Sequence, residues 1–104
     1  MEVNRMEPPY TIEQLRELIA PIAKKHGVRR VALFGSYSRN QATANSDVDL
    51  HIDKPITTTL YQLAAFKEDV ENRLQLPIDL VTSDIRDQRF LEKIKPQEVT
   101  LYEQ

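Results

Sequence analysis

The stretch that decides the fold is residues 33–52, which read LFGSYSRNQATANSDVDLHI. An apolar run ends at Gly35 and Ser36, and after ten intervening residues the chain reaches Asp47 and Asp49. Glycine lets a backbone approach a ligand closely, and a helix that begins there offers free N–H groups to an anion. Paired carboxylates suit a hard divalent cation. An anion site and a cation site joined by so short a loop indicate a place for metal-bridged phosphate.

The composition is that of one globular domain. The chain has 104 residues, of which 40% are hydrophobic and 29% are charged, and these are ordinary values for such a domain. It contains no cysteine, which excludes disulfides and thiolate metal sites and fits a reducing compartment. We therefore expect a cytoplasmic protein.

Residues 1–10 are polar and are expected to form a flexible leader, with residues 11–104 as a single domain. The leader has no apolar core of the kind that a signal peptide carries. No apolar run approaches the roughly 20 residues that span a bilayer, so no membrane contact is expected. The net charge of −2 argues against strong nucleic-acid binding, which needs a basic excess.

Apolar periodicity predicts alternating helices and strands. The predicted helices cover residues 12–26, 37–42, 60–76 and 84–95, and the predicted strands cover residues 28–34, 47–52, 78–82 and 99–102. Thr11 and Gln14 have the spacing of a capping box at the first helix, and Pro21 predicts a kink or a break within it. The alternation favours an α+β fold, with a small mixed sheet flanked by helices.

Asp47 and Asp49 stand two apart in a predicted strand, so their side chains leave the same face. Their Cα atoms should lie about 6.6 Å apart, twice the rise per residue, while Val48 and Leu50 point into the core. As an isolated pattern, the pair fits a solvated strand edge equally well. His51 shares the face of the two aspartates, and a structural histidine is its favoured interpretation.

Asp79 lies between Ile78 and Leu80 in another short apolar strand. An acid in such a strand costs stability unless it is paired or binds a metal, and a salt bridge to Arg or Lys is the simple alternative. If this strand lies beside the strand of Asp47 and Asp49, the three aspartates can meet. Three carboxylates can hold two metals about 3.5–4 Å apart, as in-line phosphoryl transfer requires.

Arg39 follows Gly35 and Ser36 by about one helical turn. Its guanidinium has the fork of donors that binds a phosphate oxygen pair. Taken singly, Gly-Ser is a common turn and Arg39 is a common surface residue. Taken together, Gly35, Ser36 and Arg39 form a candidate binding site for phosphate, the phosphate cradle.

The combined pattern, Gly35-Ser36, ten residues and then Asp47-x-Asp49, resembles the GSx10DxD motif of the DNA polymerase β-like nucleotidyltransferase superfamily. The small size, Arg39 within the motif and Asp79 downstream resemble its minimal nucleotidyltransferase (MNT) branch. The similarity covers about residues 15–94. Asn40 stands where many members have glycine, and asparagine tolerates left-handed backbone angles better than most residues.

The resemblance implies roles for these groups. The three aspartates would bind two Mg²⁺ ions, and Asp79 would also assist deprotonation of the attacking hydroxyl. The phosphate cradle would hold the β- and γ-phosphates of ATP, and pyrophosphate would leave. Such transfer depends mostly on positioning and charge neutralisation.

The resemblance also implies a partner. Similar proteins are the antitoxins of HEPN/MNT toxin–antitoxin pairs, which transfer AMP from ATP to a tyrosine of the HEPN ribonuclease toxin and so silence it. The short chain leaves no residues for an acceptor domain, so we expect a partner to complete that side. Two alternatives remain at this point: a non-catalytic antitoxin that acts by direct binding, and a nucleotidyltransferase of small molecules such as antibiotics.

Overall fold

The fold is an α+β arrangement in which helices flank a four-stranded mixed sheet. A computed structural model describes residues 7–84 and 87–104. Its helices are α1 (Ile12–Lys25), α2 (Leu60–Leu74), α3 (Gln88–Ile94) and a 3₁₀ turn (Lys95–Gln97), and its strands are β1 (Arg30–Phe34), β2 (Val48–Asp53), β3 (Ile78–Thr82) and β4 (Val99–Glu103). The fold class predicted from the sequence is confirmed.

The strands lie in the order β3-β2-β1-β4. β1 runs antiparallel to both β2 and β4, whereas β2 and β3 are parallel. Helix α2 makes the crossover that a parallel pair needs. The sheet therefore brings β3 directly beside β2, which was the condition for the three aspartates to meet.

The core lies on one face of the sheet, under α1 and α2. Val48, Leu50 and Ile52 alternate along β2 as fully buried residues, so Asp49 and His51 face the other side. That second face is partly covered by α3, whose Phe90 meets Phe34 of β1 edge to face. The sheet thus separates a dry core from a polar face.

Helix α1 begins as predicted, with the complete Thr11–Gln14 capping box. It runs through Pro21 without a break, contrary to the alternative of two separate turns. Leu18, Ile19 and Ala23 flank the proline and are buried, so tertiary packing compensates for the lost backbone hydrogen bond.

The short helix predicted at residues 37–42 is wrong. Residues 36–40 form successive turns, in which Ser38 N–H donates to Gly35 C=O at 3.1 Å and Arg39 N–H donates to Ser36 C=O at 3.2 Å. Asn40 ends the series with φ +57°. Asn40 thus adopts the left-handed backbone angle that the sequence had indicated it could tolerate.

Several predicted boundaries shift. α2 ends at Leu74, because Gln75 adopts φ +57° and Leu76 turns into the core. α3 begins after Asp87, whose carboxylate accepts a hydrogen bond from Phe90 N–H at 3.1 Å. Residues 85–86, within the helix predicted from residue 84, lie outside the described residues.

Tyr10, the last residue of the predicted leader, packs against the core. Residues 1–6 lie outside the described part of the chain, but Tyr10 is buried and its hydroxyl donates to Leu74 C=O at 2.7 Å. Tyr10 therefore belongs to the packed domain. Within residues 7–84 and 87–104, none of the helices has the length and apolar character that a bilayer crossing requires.

Replacing Tyr10 by Phe is expected to lower the free energy of unfolding by about 1–3 kcal/mol, because the buried Leu74 carbonyl loses its donor. The melting temperature of a domain of this size should fall by roughly 4–8 °C per kcal/mol. Tyr61→Phe is the matched control, since Tyr61 is 88% exposed. Equal melting temperatures for the two variants would contradict the packing described here.

Candidate active site

Two of the three aspartates meet through the pairing of β2 and β3. Asp49 lies directly opposite Asp79 in the parallel register, and neighbouring strands are about 4.8 Å apart. Asp49 is half-buried, whereas Asp79 is exposed on the edge strand. The sheet therefore holds two carboxylates side by side, and the carboxylate of Asp79 is the more exposed of the two.

The sequence had predicted Asp47 to lie within the second strand. In the structure it lies one residue before β2. The next residue, Val48, donates its N–H to Pro77 C=O at 3.0 Å, which ties the start of β2 to the start of β3. Asp47 is exposed, yet its charge still acts on Asp49. Asp47 therefore adds to the negative charge around Asp49.

The surroundings of Asp49 raise its pKa to about 6 from its usual value of 3.8. Burial is the largest cause, followed by the charge of Asp79 and the hydrogen bond between the two side chains, and then by the charge of Asp47. Arg39 acts in the opposite direction. The site thus carries an excess of negative potential that a bound cation would neutralise.

The donor set fits a divalent cation that is shared with phosphates. Mg²⁺ usually takes one or two protein carboxylates, together with waters and substrate phosphates, and the adjacent Asp49 and Asp79 supply oxygen ligands of that kind. Among residues 7–84 and 87–104, however, no three His, Asp or Glu side chains are arranged to enclose a metal by themselves. The protein therefore offers an open and incomplete coordination sphere.

Gly35 links the phosphate cradle to this pair of acids. Its φ is +75°, and a Cβ built on it would lie 2.0 Å from Asp49 Oδ2. Only glycine can hold this backbone angle without strain and let the carboxylate lie so close. The requirement for glycine at this position thus has two independent causes.

The donors of the cradle converge on one side chain that sequence reasoning missed. Gln97 Oε1 accepts a hydrogen bond from Gly35 N–H at 3.2 Å and another from Arg39 Nη1 at 2.9 Å. Arg39 Nε also donates to Gln41 at 3.2 Å. The backbone and guanidinium donors predicted to share an anion do therefore share one acceptor. Gln97 is 62 residues from Gly35 in the sequence, and no local pattern marks it.

His51 is structural, as expected. Its Nδ1 bonds Glu98, and its Nε2 lies 2.9 Å from Ser83 Oγ. Glu98 also lies 3.6 Å from Arg30 Nη2. Since both ring nitrogens are engaged, His51 has no free position for a metal.

Gly35→Ala tests the close approach to Asp49, with Gly27→Ala as its control. Gly27 has a similar φ of +70°, but a Cβ at that position would meet nothing within 4 Å. The control should cost about 1–2 kcal/mol for the backbone angle. Gly35→Ala should cost about 1–3 kcal/mol more in urea unfolding, because the new methyl group overpacks the site.

Most of the additional cost should disappear in an Asp49→Ala background, since Oδ2 and Cγ are then absent and only the Cβ of residue 49, at 3.3 Å, remains close. If Gly35→Ala and Gly27→Ala are equally stable, or the excess persists without Asp49, the close approach is not the cause.

The pKa of Asp49 predicts a pH effect on the metal-free protein. From pH 3.8 to about 6 the folded state binds more protons at Asp49 than the unfolded state does, so stability falls as pH rises through that window. Asp49→Asn avoids this loss. In EDTA, its melting temperature relative to wild type should be higher at about pH 7.5 than at about pH 4.5.

Asp53→Asn, at the exposed end of β2, is the control. If the difference in melting temperature between Asp49→Asn and wild type is the same at both pH values, the neighbours of Asp49 do not raise its pKa.

Known proteins are similar to this chain in sequence. The model of the family "Polymerase beta, Nucleotidyltransferase" matches residues 17–104. A Methanocaldococcus jannaschii protein, provisionally named a protein adenylyltransferase, is 35% identical over 71 residues, which cover 68% of this chain and 76% of the relative. The protein adenylyltransferase MntA of Thermococcus cleftensis is 32% identical over 75 residues, with the same two coverages of 68% and 76%.

Solved structures share the fold. One that is provisionally described as a minimal nucleotidyltransferase has a TM-score of 0.76 at 28% identity and covers 88% of this chain and 97% of its own. The MNT antitoxin complex with a tri-AMPylated Shewanella oneidensis HEPN toxin gives a TM-score of 0.70 at 17% identity, covering 90% and 74%. The matching family model, the two relatives and the juxtaposition of the phosphate cradle with the paired aspartates lead to one conclusion: the chain belongs to the polymerase beta nucleotidyltransferase family.

Proposed function

We propose that this chain transfers AMP from ATP to a hydroxyl group of a partner protein, and that the acceptor is a tyrosine of a HEPN-type toxin that is thereby neutralised. The observation that carries the proposal is the register of β2 and β3, which places Asp79 beside Asp49 while Gly35 touches Asp49. Anion donors and paired acids therefore meet within one site.

In this proposal the three aspartates hold Mg²⁺, and two ions are expected. When bound, the ions would neutralise phosphate charge and polarise the bond that breaks. Gly35 and Ser36 contribute backbone donors to the β- and γ-phosphates, and Arg39 adds a guanidinium. Asp49 and Asp79 sit on paired strands, Gly35, Ser36 and Arg39 follow β1 directly, and Asp47 immediately precedes β2. The sheet therefore orders most of the site before the nucleotide arrives.

The transfer itself balances without further reagents. The acceptor hydroxyl oxygen attacks the α-phosphorus and forms an O–P bond, and the bond from the α-phosphorus to the oxygen bridging it to the β-phosphate breaks, releasing pyrophosphate. The hydroxyl proton passes to a carboxylate, and exposed Asp79 on the edge strand is the residue that faces an incoming acceptor.

Exposed apolar side chains support a protein acceptor. Ile56, Leu60 and Tyr61 are large apolar residues that are 95%, 85% and 88% exposed, and Leu60 shares a groove with Asp79. Exposed apolar patches on small domains commonly mark interaction sites. The names of the two relatives, and the AMPylated toxin in the structural neighbour, favour the same class of substrate.

The proposal predicts AMP addition to a co-expressed HEPN-type partner, seen by intact mass. Asp49→Asn should slow the addition by roughly 100-fold or more, because the cation that neutralises phosphate charge loses a carboxylate ligand. EDTA should stop it in vitro. Asp53→Asn is the control for adding an amide to the same strand outside the paired acids.

Two results would redirect the proposal. A partner that stays unmodified, yet is neutralised equally by wild type and Asp49→Asn, would identify a non-catalytic antitoxin. Rapid adenylylation of a small-molecule hydroxyl by the chain alone, with none on the partner, would identify the small-molecule enzyme.

A further inference from the structure

The side chain of Gln97 covers the phosphate cradle. Its Oε1 lies 3.2 Å from Gly35 N and 2.9 Å from Arg39 Nη1. A phosphate oxygen at the same point would accept hydrogen bonds from the same backbone N–H and guanidinium N–H. A phosphate oxygen and the amide oxygen of Gln97 cannot occupy that point together.

The backbone that carries Gln97 is well anchored. Gln97 ends the 3₁₀ turn Lys95–Gln97, and the N–H of the next residue, Glu98, bonds Lys95 C=O at 3.2 Å. The Glu98 side chain is only 8% exposed, and it is held by His51 and Arg30. Because the flanking backbone is fixed, rotation of the Gln97 side chain is the simple way to free the cradle.

We propose that Gln97 is a positioning residue that occupies the polyphosphate position of the cradle and rotates away when the nucleotide binds. The inference rests on the proposed function in one respect, namely that nucleotide phosphates bind Gly35 and Arg39. Gln97 keeps both donors satisfied and correctly aimed in the free protein. The same contact lowers the apparent affinity for nucleotide, since only the fraction of molecules with an open cradle binds.

The chemistry of the two occupants sets the outcome of the competition. An uncharged amide oxygen makes weaker hydrogen bonds to the cradle than a phosphate oxygen does. The phosphate adds the attraction between opposite charges at Arg39, and it makes the bond from Gly35 N–H charge-assisted. A polyphosphate therefore displaces Gln97. A carboxylate at the same position would resist displacement and repel the ligand.

The test is the dissociation constant of a non-hydrolysable ATP analogue with Mg²⁺, measured by calorimetry on the full chain. Gln97→Ala should bind about 3–10-fold more tightly, the effect of releasing one or two ordinary hydrogen bonds. Gln97→Glu should bind at least about 10-fold more weakly than wild type, since its bonds to the cradle are charge-assisted. Opposite effects of Ala and Glu would not follow from a merely structural role.

Gln41→Ala is the matched control, because Gln41 bonds Arg39 but not Gly35. It should change the dissociation constant by less than about twofold, as a surface hydrogen bond contributes little. Tightening equal to that of Gln97→Ala would show that freeing Arg39 alone suffices, and would overturn the inference.

Two further results separate the inference from the proposed function. If wild type binds the analogue and a folded Gln97→Ala binds it equally or less tightly, displacement of Gln97 is wrong and the proposed function stands. If neither wild type nor any variant binds the analogue, both are wrong.

Wild-type NMR gives a readout that needs no variant. The Gly35 amide and the Gln97 side-chain amide resonances should both shift on saturation with the analogue, with the Gln97 signal moving to the position of a solvent-exposed amide. An unmoved Gln97 signal at saturation would overturn the inference.

Discussion

The pairing of β2 with β3 is the constraint on which the rest depends. Electrostatics opposes setting Asp49 beside Asp79, yet the register is fixed by the other face of the same strands, where Val48 pairs with Ile78 and both are buried. A slip of one residue would turn Ile78 outward and drive Asp79 into the core, because side chains alternate along a strand. Apolar burial thus enforces an acid pair that its own charges disfavour.

The repulsion between Asp49 and Asp79 favours a cation on the polar face of the sheet. The raised pKa of Asp49 means that the free site is short of positive charge, and a cation that arrived with a nucleotide would supply it. Gly35 lies against the same carboxylate, and its N–H donates a hydrogen bond to Gln97. The free protein therefore holds a site whose anion donors and acids are both only provisionally satisfied. Binding of metal-bridged phosphate would complete both halves together.

The sequence was sufficient for the fold class and for most elements, because caps and alternation are local signals. Thr11–Gln14 and the buried alternation of Val48 and Leu50 are examples. It was insufficient where tertiary packing decides. α1 continues through Pro21, and the residues after Gly35 form turns although their sequence had predicted a helix. The neighbouring position of Asp79 could be stated only as a condition, since strand order is not a local property. Gln97 could not be found at all, because its role exists only through contacts across the fold.

The most direct test of the central claim is to locate the divalent cation. Substoichiometric Mn²⁺, added with a non-hydrolysable ATP analogue, broadens the amide resonances of residues near the bound ion. We predict that the amides of Asp49, Asp79 and Gly35 broaden first, and that Asp79→Asn reduces the broadening. Broadening that begins elsewhere, or that spreads evenly over exposed acidic residues, would contradict a cation site between β2 and β3.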